Sequence, residues 1–241
     1  IKDMALYHNP RIVTSGLVLA LDAASITSYP GSGNTIYNIV SSDTYPSMGL
    51  YGDTANYGSI GDGVVTLGGA GNNSSSGTIL QGIGNLGSTI NSNFTSMGWQ
   101  YRNLSRSGEI LSYRQTSFRL AFDITDSQMI FYQRESVTPF TTNSTRVSVV
   151  NSLNVWNHFA LTRSGNSWSF YKNSVLIGTN TFIPTETLSG TAFHIGGAWQ
   201  DDDYLSNCMS GDVGPTMHYT RALSTSEITQ NYEAQKTRFG L

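Results

Sequence analysis

From Leu17 to Tyr219 the chain offers no amphipathic stretch of the kind that carries one strand over to a parallel neighbour. Short β-like runs succeed one another instead, each closed by Gly, Asn, Ser or Asp. Parallel strands need a crossover of a dozen or more residues, usually a helix. Without crossovers the pairing is antiparallel, and evenly spaced turn signals favour a sandwich or jelly roll over βαβ units. The run Leu17–Leu21 is apolar throughout, as expected of a strand buried on both faces. After it, Tyr29-Pro30-Gly31-Ser32-Gly33 reads as a turn, because Pro presets φ and Gly accepts positive φ. "GDGVVTLGG" (Gly61–Gly69) is a brief run in a glycine frame, and Ala70–Thr78 is the most loop-like stretch.

Asn93–Arg102 alternates loosely around Phe94 and Trp99, and "GEILSYR", "SFRLAFDIT", "QMIFYQRE" and "TRVSVVN" read as successive strands. The clearest hairpin spans Val155–Thr179. Phe159, Leu161 and Arg163 share one face, Ser164-Gly165-Asn166 turns the chain, and Trp168 and Phe170 line a face on the return. Lys172-Asn173-Ser174 then turns it again. Trp99, Trp156 and Trp168 are expected to fill the sandwich core.

At 241 residues the chain is within the range of a single all-β domain. The reading is one domain over 17–241, preceded by an extended arm, 1–16, that contains Pro10 and is of a kind a neighbouring subunit ties down. The opening "IKDMALYHNPRIVTSG" lacks the basic-then-apolar layout of a signal peptide. Charged residues make up 12% of the chain, against roughly 25% in an ordinary soluble domain. Ser, Thr, Asn and backbone must therefore wet the surface, which suits a protein whose partners are other subunits. Net charge is −3 with no Lys/Arg block, so the electrostatic footprint of a nucleic-acid binder is absent. No run approaches the ~20 apolar residues of a membrane helix. The one cysteine, Cys208, excludes an intramolecular disulfide framework and a cysteine-built zinc site.

The segment Arg221–Leu241 reads differently. Ser224 and Glu227 form the S-x-x-E capping box, in which each side chain satisfies an orphan backbone N–H, and Leu223 and Ile228 are the two ends of a hydrophobic staple. Ile228, Asn231, Tyr232 and Gln235 fall on one stripe, while Lys236 and Arg238 suit the negative end of a helix dipole. The spacing predicts a helix over about 225–237 that docks Ile228 and Tyr232 on the sheet, since so short a helix is marginal alone.

Chemistry is sparse. Glycosidases need two acids spanning the scissile bond, roughly 5–10 Å apart. Glu109, Glu135 and Glu186 stand alone in the sequence, and Asp123 and Asp126 would face opposite sides of a strand, so no hydrolase is expected. His8, His158, His194 and His218 read as hydrogen-bonded core or half-buried histidines, with no G-x-S-x-G elbow and no phosphate-cradling loop. The most site-like patch is Trp199 with Asp201, Asp202, Asp203 and Tyr204: a sugar stacks on an exposed ring while carboxylates read its hydroxyls. Hard oxygen ligands at short spacing make Asp201, Asp203, Asn207 and Asp212 the candidate set for Ca²⁺, the one cofactor the sequence suggests, although the D-x-D-x-D-G frame is missing.

With these residues placed, the chain resembles the concanavalin A-like, laminin-G-like jelly rolls of structural proteins in tailed bacteriophages, cyanophages especially. Its start, "YHNPRIVTSGLVLALDAASITSYPGSGNTIYNI", is similar to a family opening in which a buried strand ending in L-D-A precedes S-Y-P-G-S-G. Trp156–Thr162 resembles the family's W-x-H strand, and Ser169–Gly178 its Y-x-N-G-x-x-x-G hairpin. "GDVGPTMHYTRALSTSEITQNYEAQKTRFGL" resembles the last strand, R-A-L-S link and closing helix. Asn173-Ser174 stands where Asn-Gly is usual, which predicts a looser turn or one of another type.

The resemblance implies an all-β antiparallel sandwich with a short C-terminal α-helix docked on the sheet. It implies a non-enzymatic virion protein on the particle surface, extracellular after release, either a head decoration or part of the tail and fibre apparatus. Its partners would be other virion proteins in an oligomeric assembly, and host surface glycan if it is adhesive. The alternative is a lectin-like module that binds carbohydrate on a host surface.

Overall fold

A computed structural model describes residues 11–40, 47–52, 58–68, 77–83, 89–105, 108–115, 118–135, 142–184, 192–200, 204–206 and 208–241. Among these residues two antiparallel sheets of eight strands each face one another. Strands are numbered in chain order. The first sheet contains β1 (Leu17–Leu21), β4 (Gly58–Gly61), β5 (Val64–Leu67), β7 (Phe94–Arg102), β12 (Trp156–Ser164), β13 (Ser167–Lys172), β14 (Val175–Thr181) and β18 (Gly211–Tyr219). Its order is β14-β13-β12-β7-β18-β5-β4, with β1 also pairing β18. The second runs β11-β10-β9-β8-β15-β6-β3-β2. Those strands are β2 (Thr35–Tyr37), β3 (Ser47–Gly52), β6 (Thr78–Ile83), β8 (Gly108–Gln115), β9 (Phe118–Ile124), β10 (Gln128–Glu135), β11 (Thr142–Ser148) and β15 (Ala192–Ile195). A small hairpin, β16 (Ala198–Gln200) with β17 (Tyr204–Ser206), stands apart. The all-β antiparallel sandwich expected from the turn spacing is the observed fold.

The expected hairpin forms with Arg163 opposite Trp168 and Phe170 opposite Leu161. Asn173 and Ser174 both take positive φ, 48° and 66°. That is the type I′ geometry an Asn-Gly pair would give, so the turn is neither looser nor of another type. Asn173 makes it hold: its N–H donates to the His158 carbonyl at 2.8 Å and its Oδ1 accepts the His158 N–H at 2.8 Å.

Central strands of the first sheet are buried on both faces because two separate cores cover them. The inner core lies between the sheets and contains Phe94, Phe122, Phe131, Phe159, Leu161, Trp168, Phe170 and Phe193. The outer core lies on the far face of the first sheet and contains Met97, Ala160, Tyr171, Met217 and Tyr219, capped by Leu223 and Ile228. Helix α1 (Thr225–Glu233) supplies the cover, and its capping box is formed as the sequence predicts: the Ser224 N–H donates to Glu227 Oε2 at 2.9 Å and the Glu227 N–H to Ser224 Oγ at 3.3 Å. Arg221 grips the same carboxylate through both Nη atoms, which with the capping contacts depresses the Glu227 carboxyl to about 2.

The stripe read from the sequence faces the sheet. Ile228 and Asn231 are fully buried, Tyr232 stacks on Trp99 at 5.5 Å, and Gln235 Oε1 accepts the Trp99 Nε1–H at 2.7 Å. Asn231 also ties down the chain before β1, accepting the Val13 N–H at 2.8 Å and donating to Tyr219 Oη at 3.0 Å. Residues 11–13 thus lie against the helix; residues 1–10 of the expected arm lie outside the described residues.

Three further expectations need correction. The α-helix ends at Glu233, and Lys236–Phe239 form a separate 3-10 turn after it. Lys236 pairs with Glu233 at 2.7 Å and Arg238 reaches across to Asp22, so neither serves a helix terminus. Of the three tryptophans expected in the sandwich core, only Trp168 is there. Trp99 points to the outer face, against Tyr232 and Phe239, and Trp156 lies beside Phe239 at 4.5 Å. Phe239 fits so closely because Gly214 leaves room: a Cβ there would meet its ring at 2.9 Å. Among the described residues no helix is long and apolar enough to cross a membrane.

Candidate functional site

A cleft of about 680 Å³ opens at one end of the sandwich, within the size range of small-ligand sites. Three pieces of chain distant in sequence build it. The first wall is the segment after β1. Asp22 ends the strand and its Oδ1 accepts the Ala24 N–H at 2.9 Å, turning the chain outward. Ser28 is fully buried beneath, accepting the Asp22 N–H at 3.1 Å and donating to the Tyr37 carbonyl at 2.6 Å. Tyr29-Pro30-Gly31 comes next as the predicted turn, with Gly31 at φ 95° and Gly33 at φ 91°. The Tyr29 hydroxyl donates to the Gly33 carbonyl at 3.2 Å, fixing a half-buried ring along the cleft.

The second wall is the hairpin joining β4 to β5, whose turn residues Asp62 and Gly63 both have positive φ, 49° and 78°. Asp62 is exposed on the rim. The third piece is Arg238, from the 3-10 turn. Its Nη1 donates to Asp22 Oδ1 at 2.6 Å and its Nη2 to the Gly63 carbonyl, so one guanidinium bridges the two walls. Gly63 is required for this approach, since a Cβ would meet Arg238 Nη2 at 2.9 Å. Ile26, 81% exposed, stands at the mouth as a bare apolar side chain. The cleft therefore combines an apolar flank of Ile26, Tyr29 and Pro30 with the carboxylate of Asp62 and a fixed guanidinium.

The sequence pointed elsewhere. Trp199 lies on β16 and Tyr204 on β17, with Gln200 opposite Tyr204 and Trp199 opposite Leu205. The side chains of Trp199 and Tyr204, and residues Asp201, Asp202, Asp203 and Asn207 altogether, lie outside the described residues. Asp212, the fourth oxygen of the calcium set, sits on β18 and accepts the Thr66 hydroxyl at 2.7 Å. Among the described residues no group of three or more His, Cys, Asp or Glu side chains could hold a metal.

Carboxylates that stand apart in sequence do meet. Glu109 on β8 pairs across the ladder with Asp123 on β9, beside an irregularity between Glu109 and Leu111. Tyr132 donates to Glu109 Oε1 at 3.2 Å. Glu109 is fully buried and Asp123 is 5% exposed, so a polysaccharide in solvent has no path between them. Asp126 instead pairs with Arg102 and accepts from Ser105. His218 is the hydrogen-bonded core histidine expected: Ser96 Oγ lies 2.7 Å from Nδ1 and Thr89 Oγ1 2.7 Å from Nε2. His158 is buried as deeply, yet among the described residues neither ring nitrogen has a hydrogen-bond partner.

The cleft went unread because Asp22, Asp62 and Arg238 are far apart in the chain. Of its walls only the turn at Tyr29-Pro30-Gly31 was marked in advance; Gly61–Gly69 read simply as a brief run in a glycine frame.

Comparison with known proteins agrees with this architecture. The binding domain of botulinum neurotoxin DC, solved in complex with SialylT, superposes with a TM-score of 0.63 at 11% identity, over 91% of this chain and 51% of that one. The botulinum neurotoxin serotype D binding domain gives 0.61 at 17% identity, over 91% and 52%. Trypanosoma rangeli sialidase in complex with the inhibitor DANA gives 0.58 at 16%, over 93% and 34%. The chain spans about half the length of the toxin binding domains it matches, and at these identities the likeness is one of fold. No curated protein matches the sequence. A laminin-G-type family model, described as the concanavalin A-like lectin/glucanases superfamily, matches residues 71–229. That span is well over half of the chain, and with the two stacked antiparallel sheets it shows that the protein belongs to the concanavalin A-like lectin/glucanases superfamily.

Proposed function

We propose that the protein is a non-enzymatic, lectin-like module that binds carbohydrate in the cleft between the Tyr29 turn and the Asp62-Gly63 hairpin. The observation that carries this reading is the cleft's composition: an apolar flank of Tyr29, Pro30 and Ile26 facing Asp62, with Arg238 held rigidly between the walls. A sugar presents an apolar ring face and a rim of hydroxyls, and those two surfaces match the two sides of the cleft. Binding domains and a sialidase among the structural neighbours, and lectins in the family's description, support the reading without fixing a ligand. The burial of Glu109 and Asp123 argues against hydrolysis.

Titration of oligosaccharides by calorimetry tests it. Tyr29→Ala is expected to weaken binding by about tenfold, while Trp199→Ala leaves it unchanged. The opposite result moves the site to the β16–β17 hairpin, the patch read from the sequence. Incubation with polysaccharide is expected to release no reducing ends.

A second reading, a virion structural protein in the head surface or tail apparatus, is supported by the likeness of residues 7–39 and 211–241 to phage jelly rolls. It is compatible with the first, since an adhesive module on a particle surface would do both. Electron micrographs of particles labelled on this protein test it: label on neither head nor tail ends that reading.

A further inference from the structure

The charge balance of the cleft narrows the ligand class. Among the described residues Arg238 is the cation lining it, and its charge is matched at 2.6 Å by Asp22. Its Nη2 also donates to the Gly63 carbonyl, so turning the guanidinium toward a ligand would break contacts to both walls. Asp62, on the opposite rim, is exposed and has no cation paired with it among the described residues. The three groups sum to one negative charge, with the unmatched carboxylate at the mouth.

From this balance we infer that the cleft selects neutral sugars and rejects acidic ones, sialic acid included; the inference rests on the lectin-like reading above. A carboxylate accepts hydrogen bonds and cannot donate them, so Asp62 suits the paired hydroxyls of an uncharged hexose. A ligand carboxylate would face Asp62 with no free cation among the described residues to offset the repulsion. At a separation of a few ångströms near the surface, such repulsion weakens binding roughly 3–10-fold. The selectivity thus opposes what the fold neighbours would suggest, since these include a complex with SialylT and a sialidase.

The test is calorimetric titration of the intact protein with a neutral galactose-containing oligosaccharide and its sialylated counterpart, at low salt and at about 0.5 M salt. Neutral sugar is expected to bind at least threefold more tightly at low salt, with the gap closing at high salt, where charge repulsion is screened and steric exclusion is not. Asp62→Asn, which an αL turn accepts readily, is expected to shrink the gap at low salt by admitting the acidic sugar. Tighter binding of the sialylated form, or a gap indifferent to salt and to Asp62→Asn, overturns the inference and leaves the lectin-like reading standing. Binding of neither sugar, nor of any other oligosaccharide titrated, overturns the reading itself.

Discussion

The two faces of the first sheet are both dry, but they hold their histidines in different ways. On the inner face His218 stacks on Phe94 at 5.6 Å with a hydroxyl at each ring nitrogen. On the outer face His158 lies 5.2 Å from Trp99 and 5.9 Å from Tyr232 and has packing alone around its ring. Burial pushes both imidazoles down to about 3. Protonation separates the two. Ser96 and Thr89 can rotate to accept from an imidazolium, whereas the second N–H of a charged His158 would find nothing. Around its histidine the inner face combines packing with polar contacts. The outer face has buried hydrogen bonds elsewhere, at Trp99 and Asn231, but around His158 it depends on its cover staying closed.

The largest effect that could break this comparison is acid. Above pH 6.5 both rings are neutral in the folded and unfolded chain alike. As pH falls below 6.5 the unfolded chain takes up protons that the folded chain refuses, so stability declines continuously toward pH 3. At pH 4 the loss is about 3 kcal/mol per histidine. Urea unfolding of His158→Phe at pH 7 and pH 4 should show no more than about half the wild-type loss. Tryptophan fluorescence should report Trp99 exposed before Trp168 as the pH drops. If Trp168 responds first, the inner face is the weaker.

Truncation comes next. Trp168→Ala empties a fully buried site and should cost about 3–5 kcal/mol. Tyr232→Ala removes a half-buried ring and should cost roughly 2 kcal/mol. Comparable costs would mean the outer core is as integral as the inner one. Ser224→Ala removes the cap of α1 and should cost about 1 kcal/mol, with faster hydrogen exchange confined to the closing helix and the residues it covers. Smallest is Ser174→Gly, which relieves a left-handed serine next to Asn173 in the turn and should stabilise by about 0.5 kcal/mol in a denaturant melt.

Pattern and punctuation carried most of the fold. The hairpin from Trp156 to Thr181, the capping box at Ser224 and the docking of Ile228 and Tyr232 are local, and local physics writes them into adjacent residues. Alternation told which residues share a face of β12. On β7, Phe94 and Trp99, five residues apart, face opposite sides, and because both faces are covered Trp99 lies against Tyr232 and Phe239 rather than between the sheets. Arg238 read as a helix-dipole partner because its carboxylate lies 216 residues away in the chain. Glu109 and Asp123 meet through strand register next to an irregularity, and register is a property of the folded sheet. The candidate cleft was legible only as the Tyr29-Pro30-Gly31 turn and, apart from it, a glycine-framed run; what joins them is long-range.

Strand β18 has a consequence for how the molecule is made. It lies inside the first sheet, hydrogen-bonded to β7 along one side and to β5 and β1 along the other. Everything translated before it must wait with a vacant slot flanked by unpaired edges. Such high contact order implies slow folding, and the open slot is where a strand from another nascent chain would insert if concentration ran ahead of closure.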